Sequence, residues 1–447
     1  MDSADYLDYM EGDMDTRVAA LGAAKIDSPV NNAMFIEDSE RTLLNPSFGF
    51  IEKCARAGRY PATFELAGPR KKIFFDPSKT KAGVVTCGGL CPGINNVIRS
   101  IVHEFYYMYG VRNVCGFPYG LQGFIPKYGH PLIDLNPDTV ENIQERGGTM
   151  LGSSRGNQDV GEVVDAIERL NLNIVFFIGG DGTLKAASAV AREVLKRNYK
   201  CSVIGIPKTI DNDICFVSKT FGFDTAVKQA KNALLCAHAE AKGAPNGIGL
   251  VKLMGRDSGF IAAYAALAQG DVNFVLVPEM EFDLEGANGF LASLEQRLKN
   301  RGHAVVVAAE GAGVKFFDAA KAKTDASGNI KMGDIGVYLK DTIKKYFADK
   351  KIAINLKYID PSYLIRSVEA DATDSIFCSL LAQMAVHAGM SGKTDMLIGH
   401  WNNSYVHIPT ALIVGKRKKI DINGPLWMSV MESTGQPVMK NPVVSCQ

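Results

Sequence analysis

At 447 residues, 47% hydrophobic and 22% charged with a formal net charge of +1, the chain is long enough for two to three domains around a sizeable core. The near-neutral balance gives no global field for nucleic acid or a membrane surface, and no stretch approaches the roughly 20 apolar residues of a membrane helix. The nine scattered cysteines argue against a disulfide framework, and Cys87 with Cys91 has no second pair at zinc-finger spacing, so reduced thiols in a cytoplasmic protein are expected.

Residues 1–78 read as an N-terminal extension, partly helical. It opens on Asp2, Asp5, Asp8, Glu11, Asp13 and Asp15, the reverse of a signal peptide's basic start, and closes on the turn-rich Pro69-Arg70-Lys71-Lys72. From Ala82 one unit recurs, a short apolar run followed by an amphipathic segment. Predicted strands fall at Ala82–Thr86, Asn173–Ile178, Ser202–Ile206, Gly249–Leu253, Phe274–Val277 and Ala304–Ala309. Predicted helices start near Asn95 and span Leu184–Arg197, Phe223–Lys242, Ser258–Gln269 and Gly286–Arg301. Continuous apolar runs alternating with helices mark a parallel sheet covered on both faces, so the fold class is α/β. Lys315–Met332, small and polar, reads as a surface loop. The terminal Val-Ser-Cys-Gln is neither a peroxisomal nor an ER-retention signal.

In open α/β sheets, ligands bind outside the carboxyl ends of the strands. The first such end carries Cys87-Gly88-Gly89-Leu90-Cys91-Pro92-Gly93-Ile94-Asn95, where glycines would let the backbone approach a phosphate; it has neither Walker A nor G-x-G-x-x-G spacing. The second carries Gly179-Gly180-Asp181-Gly182-Thr183. Asp181 suits Mg²⁺, Gly180 and Gly182 leave room for phosphates, and Thr183 suits a helix N-cap or a phosphate donor. The third carries Pro207-Lys208-Thr209-Ile210-Asp211-Asn212-Asp213. One carboxylate can act as general base on a hydroxyl while the other binds metal or tunes its neighbour, and Lys208 adds a point charge. Met254-Gly255-Arg256 suits phosphate or transition-state charge; Glu279 suits sugar hydroxyls or a helix cap. Ser153-Ser154-Arg155-Gly156 is a polar loop with a phosphate-type Arg. Tyr363 and Arg366, three apart, share a face on a helical turn. The basic run Lys416-Arg417-Lys418-Lys419 reads as solvated, with an anionic effector site as the alternative; His400, Trp401 and His407 read as packing residues. These segments together argue for phosphoryl transfer.

In family order, Cys-Gly-Gly-x-x-Pro-Gly-x-Asn, Gly-Gly-Asp-Gly-Thr, Pro-Lys-Thr-Ile-Asp-Asn-Asp, Met-Gly-Arg, Pro-Glu and Lys-Tyr-Ile-Asp-Pro-Ser-Tyr resemble the 6-phosphofructokinases of the phosphofructokinase A family, from about Ala82 to the C-terminal region. Diacylglycerol and NAD kinases share only the Gly-Gly-Asp-Gly-Thr type of signal. The resemblance implies two similar three-layer domains with largely parallel sheets. The nucleotide-binding domain would span 79–222, with part of 360–405 returning to it; the sugar-phosphate domain would span 223–359, with 406–447 returning to it. It implies a glycolytic kinase acting on fructose 6-phosphate and ATP with Mg²⁺, cytoplasmic and assembled as a homotetramer. It makes Asp211 the base for the 1-hydroxyl, flanked by Thr209, Ile210 and Asp213. Met254, Gly255, Arg256 and Glu279 would hold the sugar phosphate, with Tyr363 and Arg366 on its 6-phosphate side. Gly88, Gly89, Arg155, Gly156 and Gly180 through Thr183 would hold the nucleotide, with Asp181 on the metal. Arg256 would also neutralise the transferring group.

Donor choice turns on two positions. Relatives that use pyrophosphate typically have Asp where this chain has Gly182, whereas Lys208 is the residue usual in those relatives. Gly182 with Lys208 is similar to the ATP-dependent branch of plants and trypanosomatids, so ATP is expected, with pyrophosphate and a catalytically silent regulatory subunit as alternatives. The chain departs from the short bacterial enzymes at Asn246-Gly247, where they carry a substrate-reaching Arg from a neighbouring subunit; Lys357 stands where a second such Arg is expected. Their effector pocket cannot be traced here residue by residue.

Overall fold

The computed structural model describes residues 14–31, 34–317 and 333–441, with backbone alone at 323–324 and 330–331. Most of the acidic start, the Val-Ser-Cys-Gln end and most of the Lys315–Met332 segment lie outside the described residues; within that segment Lys323–Thr324 and Ile330–Lys331 form a short antiparallel ladder.

Two sheets organise the chain. The strands are β1 (Arg41–Leu43), β2 (Thr63–Leu66), β3 (Lys81–Thr86), β4 (Asn113–Phe117), β5 (Ile133–Asp134), β6 (Ile174–Gly179), β7 (Ser202–Pro207), β8 (Gly247–Leu253), β9 (Phe274–Leu276), β10 (His303–Ala309), β11 (Asn355–Ile359), β12 (Met396–Trp401) and β13 (Ser404–Pro409). The larger, nine-stranded sheet runs β1-β2-β13-β12-β7-β6-β3-β4-β5. Its centre, β12 through β4, is parallel, while both edges are antiparallel. The smaller sheet runs β9-β10-β8-β11 and is parallel throughout. Every residue of β6 and β7 is buried, as an apolar run covered on both faces requires. The helix Phe223–Lys242 leaves the larger sheet and packs on β8 and on the helix Phe260–Gln269.

The N-terminal segment is part of the larger sheet: β1 and β2 extend it through β13, and Phe64 is fully buried. Its expected basic turn is likewise built in. Arg70 reaches Glu65 at 2.8 Å and Asp38 at 2.9 Å. Burial pushes the Glu65 carboxyl up, but His407 and Lys393 outweigh it and hold the group well below the usual range. The expected return of 406–447 to the smaller sheet starts later, because β13 keeps residues 406–409 in the larger one by pairing with β12 and β2. Only afterwards does the helix Pro425–Thr434 pack on Phe260–Gln269. Two helix starts also move. The helix expected from Gly286 begins at Phe290, since Gly286 takes φ +92 in a turn. The helix expected from Leu184 begins at Asp181, with Gly180 as N-cap.

Candidate active site

The carboxyl ends of β3, β6 and β7 converge on a glycine-lined cradle. Gly88 sits at φ +85, and Ser153 Oγ donates to its carbonyl at 2.7 Å, which ties the Ser153–Gly156 loop to the turn. A Cβ at Gly88 would lie 3.7 Å from Lys208 Nζ, and one at Gly89 would lie 3.5 Å from Arg366 Nη1 and 3.8 Å from Arg155 Nη2. Three cations therefore surround two glycines, the arrangement of an anion site. Lys208 is buried and donates to the Gly89 carbonyl; burial lowers its pKa, and Arg366 and Arg155 press the same way. Arg366, expected on the 6-phosphate side of the sugar, thus reaches the Gly88–Gly89 turn. Its guanidinium lies 4.8 Å from the Tyr363 ring centroid, so the two share a face as predicted, while Tyr363 itself is 73% exposed.

Gly180 and Gly182 behave differently. A Cβ at Gly180 would meet the Lys208 carbonyl at 3.3 Å, whereas one at Gly182 would meet nothing within 4 Å. Thr183 is buried and is not the N-cap; it packs against Gly179, where a Cβ would lie 2.2 Å from Thr183 Oγ1. Gly156, at φ +104, closes the loop after Arg155.

The 209–213 loop is held from inside. The Asp211 N–H donates to Thr209 Oγ1 at 3.1 Å, and Ile210 is buried. Asn212 takes φ +53, a left-handed conformation that Asn tolerates, and its Oδ1 accepts from the Thr220 N–H at 3.1 Å. The two aspartates flank it, each with a buried Oδ1 that has no hydrogen-bond partner among the described residues. Burial pushes the Asp211 carboxyl well above the usual range, and Asp213 and Glu310 push it further; Arg417 and Arg256 oppose them.

From the other sheet, Ser258 Oγ donates to the Asp211 carbonyl at 3.3 Å. The Met254-Gly255-Arg256 turn requires glycine twice: Gly255 is at φ +122, and a Cβ at Gly311 would fall 1.8 Å from the Arg256 carbonyl. Met254 is partly buried against the core. Glu279 acts as a cap, accepting the Gly259 N–H at 3.0 Å and the Ile420 N–H at 2.9 Å. Lys357 is not gathered into this cluster. It lies on edge strand β11 with its ammonium 3.9 Å from Glu240.

The reading of Lys416–Lys419 as solvated is corrected. Arg417 Nη1 is 2.9 Å from Asp213, and its Nη2 is 3.5 Å from Asp181. Lys418 Nζ donates to Asn212 Oδ1 at 3.1 Å and to the Val217 carbonyl at 2.7 Å. Arg417 and Lys418 turn inward, where they meet the carboxylates and carbonyls of the neighbouring loops, while Lys419 stays exposed. Glu310, after β10, is a further site residue that sequence reasoning missed; burial raises its pKa while Arg256 and Lys252 oppose. The expectation for His400, Trp401 and His407 is met differently by each. His407 is fully buried beside Glu65, His400 stacks edge-on with Phe377, and Trp401 donates to the Leu44 carbonyl.

Among the described residues no group of three or more His, Cys, Asp or Glu could hold a metal by itself. Asp181, only 12% exposed at a helix start beside the cradle, is a carboxylate of the kind that holds Mg²⁺ together with substrate phosphates. Described cysteines are all free, and no described helix is long and apolar enough to cross a membrane.

Cations around the Gly88–Gly89 turn, and buried carboxylates with unpartnered oxygens in the nearby 209–213 loop, are the parts of a phosphotransferase acting on a hydroxyl. Comparison with known proteins narrows the class. Residues 81–389 match the family described as Phosphofructokinase. The chain is 51% identical over 439 residues to an ATP-dependent 6-phosphofructokinase of Borreliella burgdorferi, covering 96% of this chain and 98% of the relative. It is 43% identical over 437 residues to the ATP-dependent 6-phosphofructokinase of Amycolatopsis methanolica, covering 95% of each. It is 46% identical over 381 residues to ATP-dependent 6-phosphofructokinase 7 of Arabidopsis thaliana, covering 85% of this chain and 78% of the relative. The fold is that of the pyrophosphate-dependent phosphofructokinase crystal structure from Marinobacter aquaeolei, with a TM-score of 0.66 at 21% identity over 81% of this chain and 92% of that one. The chain belongs to the phosphofructokinase family.

Proposed function

We propose that this enzyme transfers the γ-phosphoryl group of ATP to the 1-hydroxyl of D-fructose 6-phosphate, giving fructose 1,6-bisphosphate, with Asp211 as the base. The observation that carries the base assignment is Asp211 itself, buried with one carboxylate oxygen unpartnered and with its proton affinity raised by burial and by Asp213. Such a group takes a hydroxyl proton far better than an exposed carboxylate does. Thr209, Ile210 and Asp213 shape its loop. Arg256 neutralises charge developing on the phosphoryl group, Met254 and Gly255 build the turn that presents it, and Glu279 caps the Gly259 N–H just beyond that turn. Gly88, Gly89, Arg155, Gly156, Gly180, Gly182 and Thr183 line the nucleotide side. Tyr363 and Arg366 complete the sugar-phosphate side, Arg366 reaching toward the glycine cradle, while Lys357 stands apart beside Glu240. Mg²⁺ held by Asp181 would neutralise the donor phosphates. Catalysis is then mainly positioning and electrostatics.

Gly182, with open space above it, supports ATP as donor. The free thiols support a cytoplasmic setting. A homotetramer is the assembly the resemblance implies. Steady-state assays with ATP and with pyrophosphate, each with and without AMP, test the reading. ATP-dependent turnover is expected; turnover with pyrophosphate and none with ATP overturns it.

A further inference from the structure

The segment from Lys416 to Ile420 straps the two halves together. The Lys418 N–H donates to the Asp213 carbonyl at 2.8 Å, and the Ile420 N–H to Glu279 at 2.9 Å. At its centre the Arg417 guanidinium faces three carboxylates from three strand ends. Asp213 follows β7 at 2.9 Å, Asp181 follows β6 at 3.5 Å, and Asp257 follows β8 at 3.8 Å. Arg417 is 29% exposed, so solvent and ligands reach it. Lys185, 2.9 Å from Asp181, is a second cation on that carboxylate.

We propose that Arg417 is an exchangeable cation of the donor site: it clasps Asp181 to Asp213, and it passes to the donor's phosphates when a divalent metal takes Asp181. This rests on the phosphotransferase reading above. Asp181 cannot give its oxygens fully to a guanidinium and to a divalent cation at once. A planar guanidinium binds phosphate oxygens at least as well as carboxylate, in a two-pronged geometry a Lys cannot copy. The backbone is pinned on both sides of Arg417, by the Lys416 N–H on the Ile413 carbonyl at 3.1 Å and the Lys418 N–H on the Asp213 carbonyl at 2.8 Å, so the exchange needs only side-chain rotation. A free metal must therefore compete with Arg417, whereas the metal–nucleotide complex brings phosphates that accept it.

The consequence is a pair of affinities that move in opposite directions. Arg417→Gln should bind Mn²⁺ in the absence of nucleotide about tenfold more tightly than the parent, because Asp181 and Asp213 lose their competitor. The same variant should bind MgATP about tenfold more weakly, because the phosphates lose a ligand. Free Mn²⁺ is read by electron paramagnetic resonance and MgATP by isothermal titration. Arg417→Lys keeps the charge without the fork and should fall between, and it carries the test with the same signs if Arg417→Gln does not fold. Weakening of both affinities together marks a residue that only supports the fold and overturns the proposal. So does an unchanged Mn²⁺ affinity, or a tighter Mn²⁺ with unchanged MgATP. If instead the parent enzyme shows no ATP-dependent turnover of fructose 6-phosphate, the functional reading fails while the Mn²⁺ comparison still reports on the clasp.

Discussion

Replacing Gly182 by Asp tests the donor argument at one atom cluster. Position 182 is the second residue of the helix Asp181–Lys196, and a Cβ there meets nothing within 4 Å, so the side chain enters without a clash. Helix propensity favours Asp over Gly, and a carboxylate in the first turn gains about 0.3–1 kcal/mol from the helix dipole, so folding should be unaffected or slightly improved. The cost falls on the nucleotide. A carboxylate about 5 Å from an α-phosphate charge, at an effective dielectric near 20, is repelled by roughly 3 kcal/mol, or about 10²-fold in kcat/KM. A coupled assay with varied ATP should show that loss with KM for fructose 6-phosphate little changed. Gly182→Ala, which adds volume without charge, should stay within about threefold. Lys208→Gly should depress ATP use far less than Gly182→Asp does. A Gly182→Asp enzyme that keeps its ATP affinity while folding normally would refute the steric and electrostatic argument.

Asp211→Ser should lose several orders of magnitude in kcat with both substrates still bound, measured by steady-state kinetics and equilibrium titration; activity within tenfold of the parent removes Asp211 from the role of base. Because burial and Asp213 raise the Asp211 pKa, the protonated, inactive form persists to higher pH than for an ordinary carboxyl near 4. The acid limb of the kcat/KM profile should therefore lie well above pH 4, with activity lost as pH falls through it, and a limb at the ordinary value contradicts the assignment. Gly311→Ala places a Cβ 1.8 Å from the Arg256 carbonyl, so it should cost about 2 kcal/mol in denaturant unfolding and raise KM for fructose 6-phosphate as Arg256 shifts. Lys418→Met leaves Asn212 Oδ1 and the Val217 and Ser218 carbonyls without their ammonium donor, and should lower stability by about 2 kcal/mol together with kcat; unchanged urea midpoints would show that these acceptors do not need it.

The central strands were legible because parallel strands covered on both faces must be continuously apolar, as Ile174–Gly179 and Ser202–Pro207 are. The antiparallel strands Arg41–Leu43 and Thr63–Leu66 at one side of the larger sheet were not, since strands of three and four mixed residues carry no period to read. The helix start at Asp181 was missed because its cap, Gly180, has no side chain to announce it. Gly88, Asp181, Asp211 and Arg256 declared themselves by lying at strand ends. Glu310 carried the same signal, directly after β10, and was passed over. Arg417 gave no such sign. A run of four cations reads as a solvated face, and its partner Asp213 is 204 residues away in sequence, so only the folded chain shows that the charge is turned inward.

The larger sheet carries the glycine cradle and Asp211, and the smaller carries Arg256 and Glu279, so the proposed geometry of transfer depends on how the two are joined. Behind the site the join is apolar: one buried cluster runs from Phe176 and Ile206 through Ala226 and Ala230 to Val251 and Val307. At the mouth of the site it is polar. Ser258 reaches the Asp211 carbonyl, Arg417 spans Asp213 and Asp257, and Glu279 receives Ile420 from the strap that Lys418 fastens to Asn212. Each of these polar links ends on the 209–213 loop or on the 416–420 strap, and each can be exchanged for water or ligand at far lower cost than the apolar join can be opened. A small change in the relative placement of the two sheets therefore moves Asp211 and Arg256 against each other before it disturbs the core behind them. Mutations in the polar links should alter kcat and KM together, because both depend on that placement, while mutations confined to the glycine cradle should act on the donor alone.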